Sequence, residues 1–182
     1  KSILKEMFLI GSISQNTNKL MKSIERIWGR YKDVYFFEAL IRLSYELGDY
    51  RKTLKYLNQF PEYNLNKDFI IIKSQSLIEV GQPEKSIIVL NGYTGLADQK
   101  IYSIFIKAYD LINDLSNHQL YCEKLINEFP DFELGFREMI LYYIKTDKYT
   151  KALGLAIKAK QKFKKNPLFV YMEAEIYFFK NK

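Results

Sequence analysis

Apolar residues recur along this chain at helical spacing, and short polar turns interrupt them at a nearly constant interval. Phe37, Leu40, Ile41, Ser44 and Leu47 mark one helical face, with Ser44 the small polar exception. The turns Gly48-Asp49-Tyr50, Val80-Gly81-Gln82-Pro83 and Thr146-Asp147-Lys148-Tyr149 each separate two such segments. Gly48 and Gly81 lie 33 residues apart, and Gly81 and Asp147 lie 66 apart, twice that interval. A further turn is therefore expected near Asp114, where Asn113-Asp114-Leu115-Ser116 stands. Fixed periods of about 20 to 50 residues mark stacked supersecondary units in place of a single globular core.

The pattern predicts antiparallel helix pairs over 2–14 with 17–29, 34–47 with 50–60, 66–80 with 83–91, 99–112 with 116–128, and 133–146 with 148–164. A single helix over 167–180 follows. Short connections suit antiparallel neighbours. Pro83 fits a first helical turn, where its missing N–H leaves nothing unsatisfied. Pro61, Pro130 and Pro167 fall between pairs, where helices stop or start. Asn91-Gly92 has the form of a helix C-terminus, which makes Asn91–Gln99 the least regular connection. Within 148–164, Tyr149, Ala152, Ala156, Ala159 and Phe163 share a stripe about 80° wide. Lys148, Lys151, Lys158, Lys162 and Lys165 share another face. The small alanines are expected to admit the partner helix closely.

These residues resemble the tetratricopeptide repeat family, whose unit is a 34-residue helix–turn–helix. The clearest unit runs from Glu133 to Asn166, with Phe136, Met139, Ile140 and Tyr143 in its first helix. Tyr149 holds the turn aromatic, and Ala152, Ala156 and Ala159 the second helix. The run Tyr121-Cys122-Glu123-Lys124-Leu125-Ile126-Asn127-Glu128-Phe129-Pro130-Asp131 is similar to the closing half of such a repeat, in wording frequent among bacterial envelope members. Tyr35–Phe60 and Asp68–Asn91 match less closely. The family's first-helix glycine is replaced by Ile41, Ser74, Ile106 and Ile140, and its small second-helix residue is Thr53, Ser86, His118 and Ala152. The resemblance implies an all-α, right-handed superhelical solenoid of about five pairs or partial pairs. Its units would be about 1–33, 34–66, 67–98, 99–132 and 133–166, ending in a terminal helix, in one domain over 1–182. It also implies a concave surface lined by the first helices, binding a peptide, a helix or a protein domain. By position that surface comprises Glu38, Arg42, Tyr45, Ile71, Gln75 and Ile78, then Lys107, Arg137, Leu141 and Ile144. The Lys–Asn–Asn–Lys–Arg clamp of chaperone-binding members is not matched, so that partner is set aside.

Charge is placed unevenly. Residues 148–182 carry nine lysines and two glutamates, which accounts for the whole net charge of +7. Residues 34–147 carry 12 basic and 16 acidic groups. A basic end of this kind reads either as solvated outer helix faces or as a dock for an acidic partner or anionic surface. RNA binding is the competing class, since lysines interleave with Tyr and Phe. Lysine outnumbers arginine 23 to 5, however, and arginine is the better planar reader of bases. Glu38, Ile71, Ser103 and Arg137 also form no paired polar code of the kind helical-repeat RNA readers need.

Candidate chemistry is sparse. His118 and Cys122 stand four apart on one helix face, the spacing a thiolate–imidazolium pair would need. Two packing slots of a second helix are the preferred reading. A single cysteine allows no internal disulfide, and a zinc site needs more ligands than these two. No phosphate-binding loop, dinucleotide fingerprint or nucleophile elbow occurs. No cofactor and no catalysis are expected, and no segment has the length and apolarity to cross a membrane. The chain begins at Lys1 without Met and is expected to be a piece of a longer protein.

In the last helix, Phe169, Tyr171, Tyr177 and Phe178 belong to a sequence that is apolar almost all round. One face should cover the preceding pair. The other predicts further repeats or self-association.

Overall fold

The computed structural model describes residues 17–59 and 66–180. Ten helices and no strands occur among them. They are α1 (Thr17–Tyr31), α2 (Val34–Glu46), α3 (Tyr50–Leu57), α4 (Lys67–Glu79), α5 (Pro83–Asn91), α6 (Gln99–Leu111), α7 (Leu115–Glu128), α8 (Glu133–Lys145), α9 (Tyr149–Lys162) and α10 (Leu168–Lys180). The helix expected over 2–14 and the segment around Pro61 lie outside the described residues.

One turn geometry recurs four times. Gly48, Gly81, Asn113 and Asp147 adopt positive φ of 72°, 76°, 58° and 58°. In each turn the following N–H reaches back to a carbonyl in the last turn of the first helix: Asp49 to Ser44, Gln82 to Leu77, Asp114 to Tyr109 and Lys148 to Tyr143. These bonds close the first helix of each pair in a Schellman motif and satisfy its orphan carbonyls. The turn expected near Asp114 is present, with the left-handed residue at Asn113. Side-chain caps then start the next helix: Asp49 accepts from Lys52 N and Asp114 from Asn117 N. Pro83 begins α5, as its fixed φ favours. Leu47 departs from its expected core role. It lies past the end of α2 as the C-cap and is exposed.

The chain divides into two compact units between Val89 and Leu90, within α5. In the first unit α1 packs on α2, α2 on α3 and α3 on α4, while α2 also touches α4. Its core centres on Ile24, Phe37, Leu40, Ile41, Leu57 and Phe69. In the second unit the same order runs through α6, α7, α8, α9 and α10, with α6 also touching α8. Strong contacts with the next helix, and lesser ones with the helix after it, are what stacked pairs produce. Ala152, Ala156 and Ala159 are fully buried against Phe136, Ile140, Phe169 and Ile176. The eight residues at the family's small slots, from Ile41 to Ala152, are all buried.

Candidate functional site

The first helices of the pairs, α2, α4, α6 and α8, carry the residues expected to form the binding surface. In the first unit the structure brings five side chains together across α2 and α4. Arg42 Nη2 lies 3.2 Å from Asp68 Oδ2, and its guanidinium carbon stands 5.1 Å from the Phe69 ring centroid. The Tyr45 hydroxyl donates to Gln75 Oε1. Burial, then Tyr50, Glu46 and Glu79, raise the pKa of Tyr45, which keeps it a neutral donor. Glu38 is half-buried on the same helix.

Ile71 and Ile78 do not belong to this surface. They are 9% and 6% exposed. Apolar positions of α4 occupy nearly its whole circumference, and a helix that is apolar all round is enclosed. Asp68, Gln75 and Glu79 form a narrow polar stripe at its surface, about 40° wide on a helical wheel. Arg42 and Tyr45 reach that stripe.

In the second unit Lys107 and Leu141 are exposed. Arg137 Nε and Nη2 lie 2.9 and 2.6 Å from Glu138 Oε1, so its charge is turned along its own helix. Ile144 is half-buried and packs on the core beside Ala156, which leaves it only partly available. Lys145 Nζ bridges to Asp110 Oδ1 at 3.1 Å, tying α8 to α6. Sequence reasoning does not single out Asp68, Asp110 or Lys145. Their signal is subtle: many cross-helix polar partners stand about one repeat apart, as Lys145 with Asp110 and Asn166 with Glu133 do.

The five lysines of the basic stripe have different surroundings. Lys148 donates to the Tyr142 hydroxyl at 3.3 Å and stands over its ring, and Lys151 stands 6.0 Å from the Tyr143 centroid. Lys162 pairs with Asp131 at 2.8 Å. Lys158 and Lys165 are exposed. The helix expected to reach residue 164 ends at Lys162, with Phe163 at φ −103° and ψ 56° as its cap. Lys165 therefore lies outside the helical register that placed it on the stripe.

Among the terminal-helix residues, Phe169 is fully buried and stacks on Phe163 at 5.4 Å, so it serves the core and not an outer surface. The helical period sets it on one face with Met172 and Ile176. Tyr171, Tyr177 and Phe178 lie on the opposite, exposed face.

His118 Nδ1 and Cys122 Sγ are 3.9 Å apart and both are buried. Burial pushes the thiol up and the imidazole down, the reverse of the shifts that would give an ion pair. The pair packs helix α7 and offers no activated nucleophile. No cluster of three or more metal-ligating side chains, and no helix long and apolar enough to cross a membrane, occurs among the described residues.

Stacked antiparallel helix pairs define a helical-repeat solenoid. Solved structures identify the type as the tetratricopeptide repeat fold. A MamA fragment from Desulfovibrio magneticus RS-1 superposes with a TM-score of 0.76 at 15% identity, covering 91% of this chain and 96% of the other. YrrB, described as a tetratricopeptide repeat protein with an unusual peptide-binding site, gives 0.72 at 12% identity over 91% and 87%. A tetratricopeptide repeat protein from Parabacteroides merdae ATCC 43184 gives 0.70 at 12% identity over 99% and 72%. No protein-family model and no curated protein matches the sequence.

Proposed function

We propose that this chain is a non-enzymatic protein-interaction scaffold that binds a peptide, a helix or a protein domain on the face of its first helices. The observation that carries this reading is the α2–α4 surface of Arg42, Tyr45 and Gln75. There a stretch of packed helix presents oriented donors and an aromatic ring on a rigid support, the arrangement from which interface anchors are made. In the second unit Lys107, Arg137 and Leu141 supply the corresponding positions. The peptide-binding site named for YrrB supports the class of ligand, at the level of fold. A second copy of the chain is a further partner on this reading, through α10. Binding of RNA or an anionic surface by the basic stripe is the weaker reading, because Lys148 and Lys162 are engaged within the protein.

The test is isolation of the co-purifying protein from native cells, followed by titration against Arg42→Glu, Lys107→Glu and Arg137→Glu. Loss of affinity in these variants supports the first-helix face. Unchanged affinity moves the site elsewhere. A steep fall of RNA affinity with salt would favour the basic stripe instead.

A further inference from the structure

Asn91 ends α5, and Gly92 begins the connection that leads to Asp98, the cap of α6. The two are the central residues of a turn that Tyr93 N closes by donating to Leu90 O at 3.1 Å. Both are exposed, as are Thr94, Gly95 and Leu96 just beyond them. Asn91 is the one asparagine in the sequence that glycine follows.

That neighbour decides which chemistry is open to the asparagine. The main-chain nitrogen of the next residue can close a five-membered ring on the asparagine side-chain carbonyl carbon. A Cβ on that next residue crowds the approach and narrows the backbone rotations that reach it. Glycine has no Cβ and imposes neither limit. An exposed turn at a helix end also opens more readily than a helix interior.

Packing adds a restraint that the dipeptide does not show. The Asn91 side chain hydrogen-bonds the hydroxyl of Tyr109 in α6, and both residues belong to the second unit. Burial, then Asp114, raise the Tyr109 pKa, whereas the Asn91 bond lowers it. A bond that favours the phenolate is one in which the amide N–H donates. The acceptor is fixed: Tyr109 is 8% exposed and stacks on Phe105 and Tyr121, with ring centroids 6.0 and 5.5 Å away. Ring closure has to turn the Asn91 side chain toward Gly92 N, and this bond holds it on Tyr109.

We propose that Asn91-Gly92 is a self-modifying site of the folded protein and that the Tyr109 hydroxyl restrains it. Gly92 N gives its proton to hydroxide and attacks Asn91 Cγ. The new C–N bond forms, the Cγ–Nδ2 bond breaks, and ammonia leaves with a proton taken from water. The product is a cyclic succinimide. Water then adds to one of its two carbonyls and breaks one ring C–N bond, giving aspartate or isoaspartate. The sequence of steps consumes only water. Either product sets a carboxylate beside the Tyr109 oxygen, where the charge of Asp114 already acts. Isoaspartate also routes the main chain through Cγ and lengthens it by one carbon. Neither step involves the first-helix face, so this inference stands apart from the scaffold reading.

The experiment ages the folded full chain in mildly alkaline buffer made with heavy-oxygen water, and maps its peptides by mass spectrometry. Enzymatic methylation of isoaspartyl carboxylates reads the second product. The Asn91 peptide is expected to become acidic and carry heavy oxygen. Its rate should exceed that of the Asn113 peptide by at least about tenfold, a barrier lower by about 1.4 kcal/mol. Gly92→Ala should keep the amide over the same period. So should Asn91→Gln, which would need a six-membered ring. Circular dichroism checks that both variants fold. Tyr109→Phe keeps the ring and should speed conversion of Asn91 by about fivefold, the factor set by a hydrogen bond of typical net strength. An Asn91 that keeps its amide as long as Asn113 does, or that converts only in urea, overturns the site. An unchanged Asn91 rate in Tyr109→Phe, or a rise that Asn113 shares, overturns the restraint. No arm of the experiment reads partner binding, so its failure is distinct from failure of the scaffold.

Discussion

The Arg42 guanidinium bridges two consecutive residues of a neighbouring helix, pairing with Asp68 at 3.2 Å and lying 5.1 Å from the Phe69 ring. Both charges remain largely in water, where an ion pair is worth about 0–1 kcal/mol. Arg42→Glu is therefore expected to change stability by less than about 1 kcal/mol. It should weaken partner binding at least about tenfold, or 1.4 kcal/mol. Paired urea unfolding and binding titrations check both halves. A large stability loss would make Arg42 a structural strut and not a binding residue.

The repeating turns predict a backbone effect free of packing. A Cβ built on Gly81 meets nothing within 4 Å, yet its φ is +76°. Gly81→Ala should cost about 1–2 kcal/mol through the left-handed conformation alone. Asn113→Gly should be neutral or stabilising, because φ is +58° there. Equal urea midpoints for Gly81→Ala and the natural chain would refute this turn geometry.

The small helix slots should respond in opposite directions. Ser74 and Ser86 are fully buried, and their hydroxyls find no hydrogen-bond partner among the described residues. Ser74→Ala and Ser86→Ala remove a desolvated hydroxyl, so each should be neutral or stabilising by up to about 1 kcal/mol. Ala156 is also fully buried, but Ala156→Gln adds volume and an amide to the core cluster shared by α8, α9 and α10. It should lose at least about 2 kcal/mol, and an unchanged melting temperature would contradict the assigned face.

His118 should make stability fall on mild acidification. Burial lowers its folded pKa below the ordinary 6.5, with Asp110 and Glu138 opposing and Lys145 assisting. The unfolded chain then binds a proton that the folded chain refuses. The stabilisation is complete above about pH 6.5 and is lost as pH drops from there toward the folded pKa. His118→Gln should flatten the stability profile between about pH 7.5 and 5.5. A steep profile in that variant would assign the effect to other groups. Cys122 should resist alkylation until the chain unfolds, because its buried thiol is pushed well above its ordinary pKa.

Much of this fold is written in local signals that act over a few residues. The turn at Asn113 followed from the interval alone, because Gly, Asn and Asp tolerate the left-handed conformation that closes each first helix. The alanine stripe of α9 was legible because a helix holds one period throughout and small residues recur on it. The binding surface was less legible. Ile71 and Ile78 sit at surface positions by register, and only the enclosure of α4 removes them from solvent. Phe169 likewise shares a helix with exposed aromatics, and packing against Phe163 decides its side. Lys165 falls off the basic stripe because α9 ends three residues earlier, at Lys162.

The order of residues established the described helices to within a few residues at their ends, and the four recurring turns, since each depends on backbone preference and spacing. Which side chains meet across helices was settled by packing in space. Arg42 finds Asp68, Tyr45 finds Gln75, and Lys145 finds Asp110, at separations of 26, 30 and 35 residues. No local rule prescribes those meetings, because they exist only once helices from neighbouring repeats lie side by side.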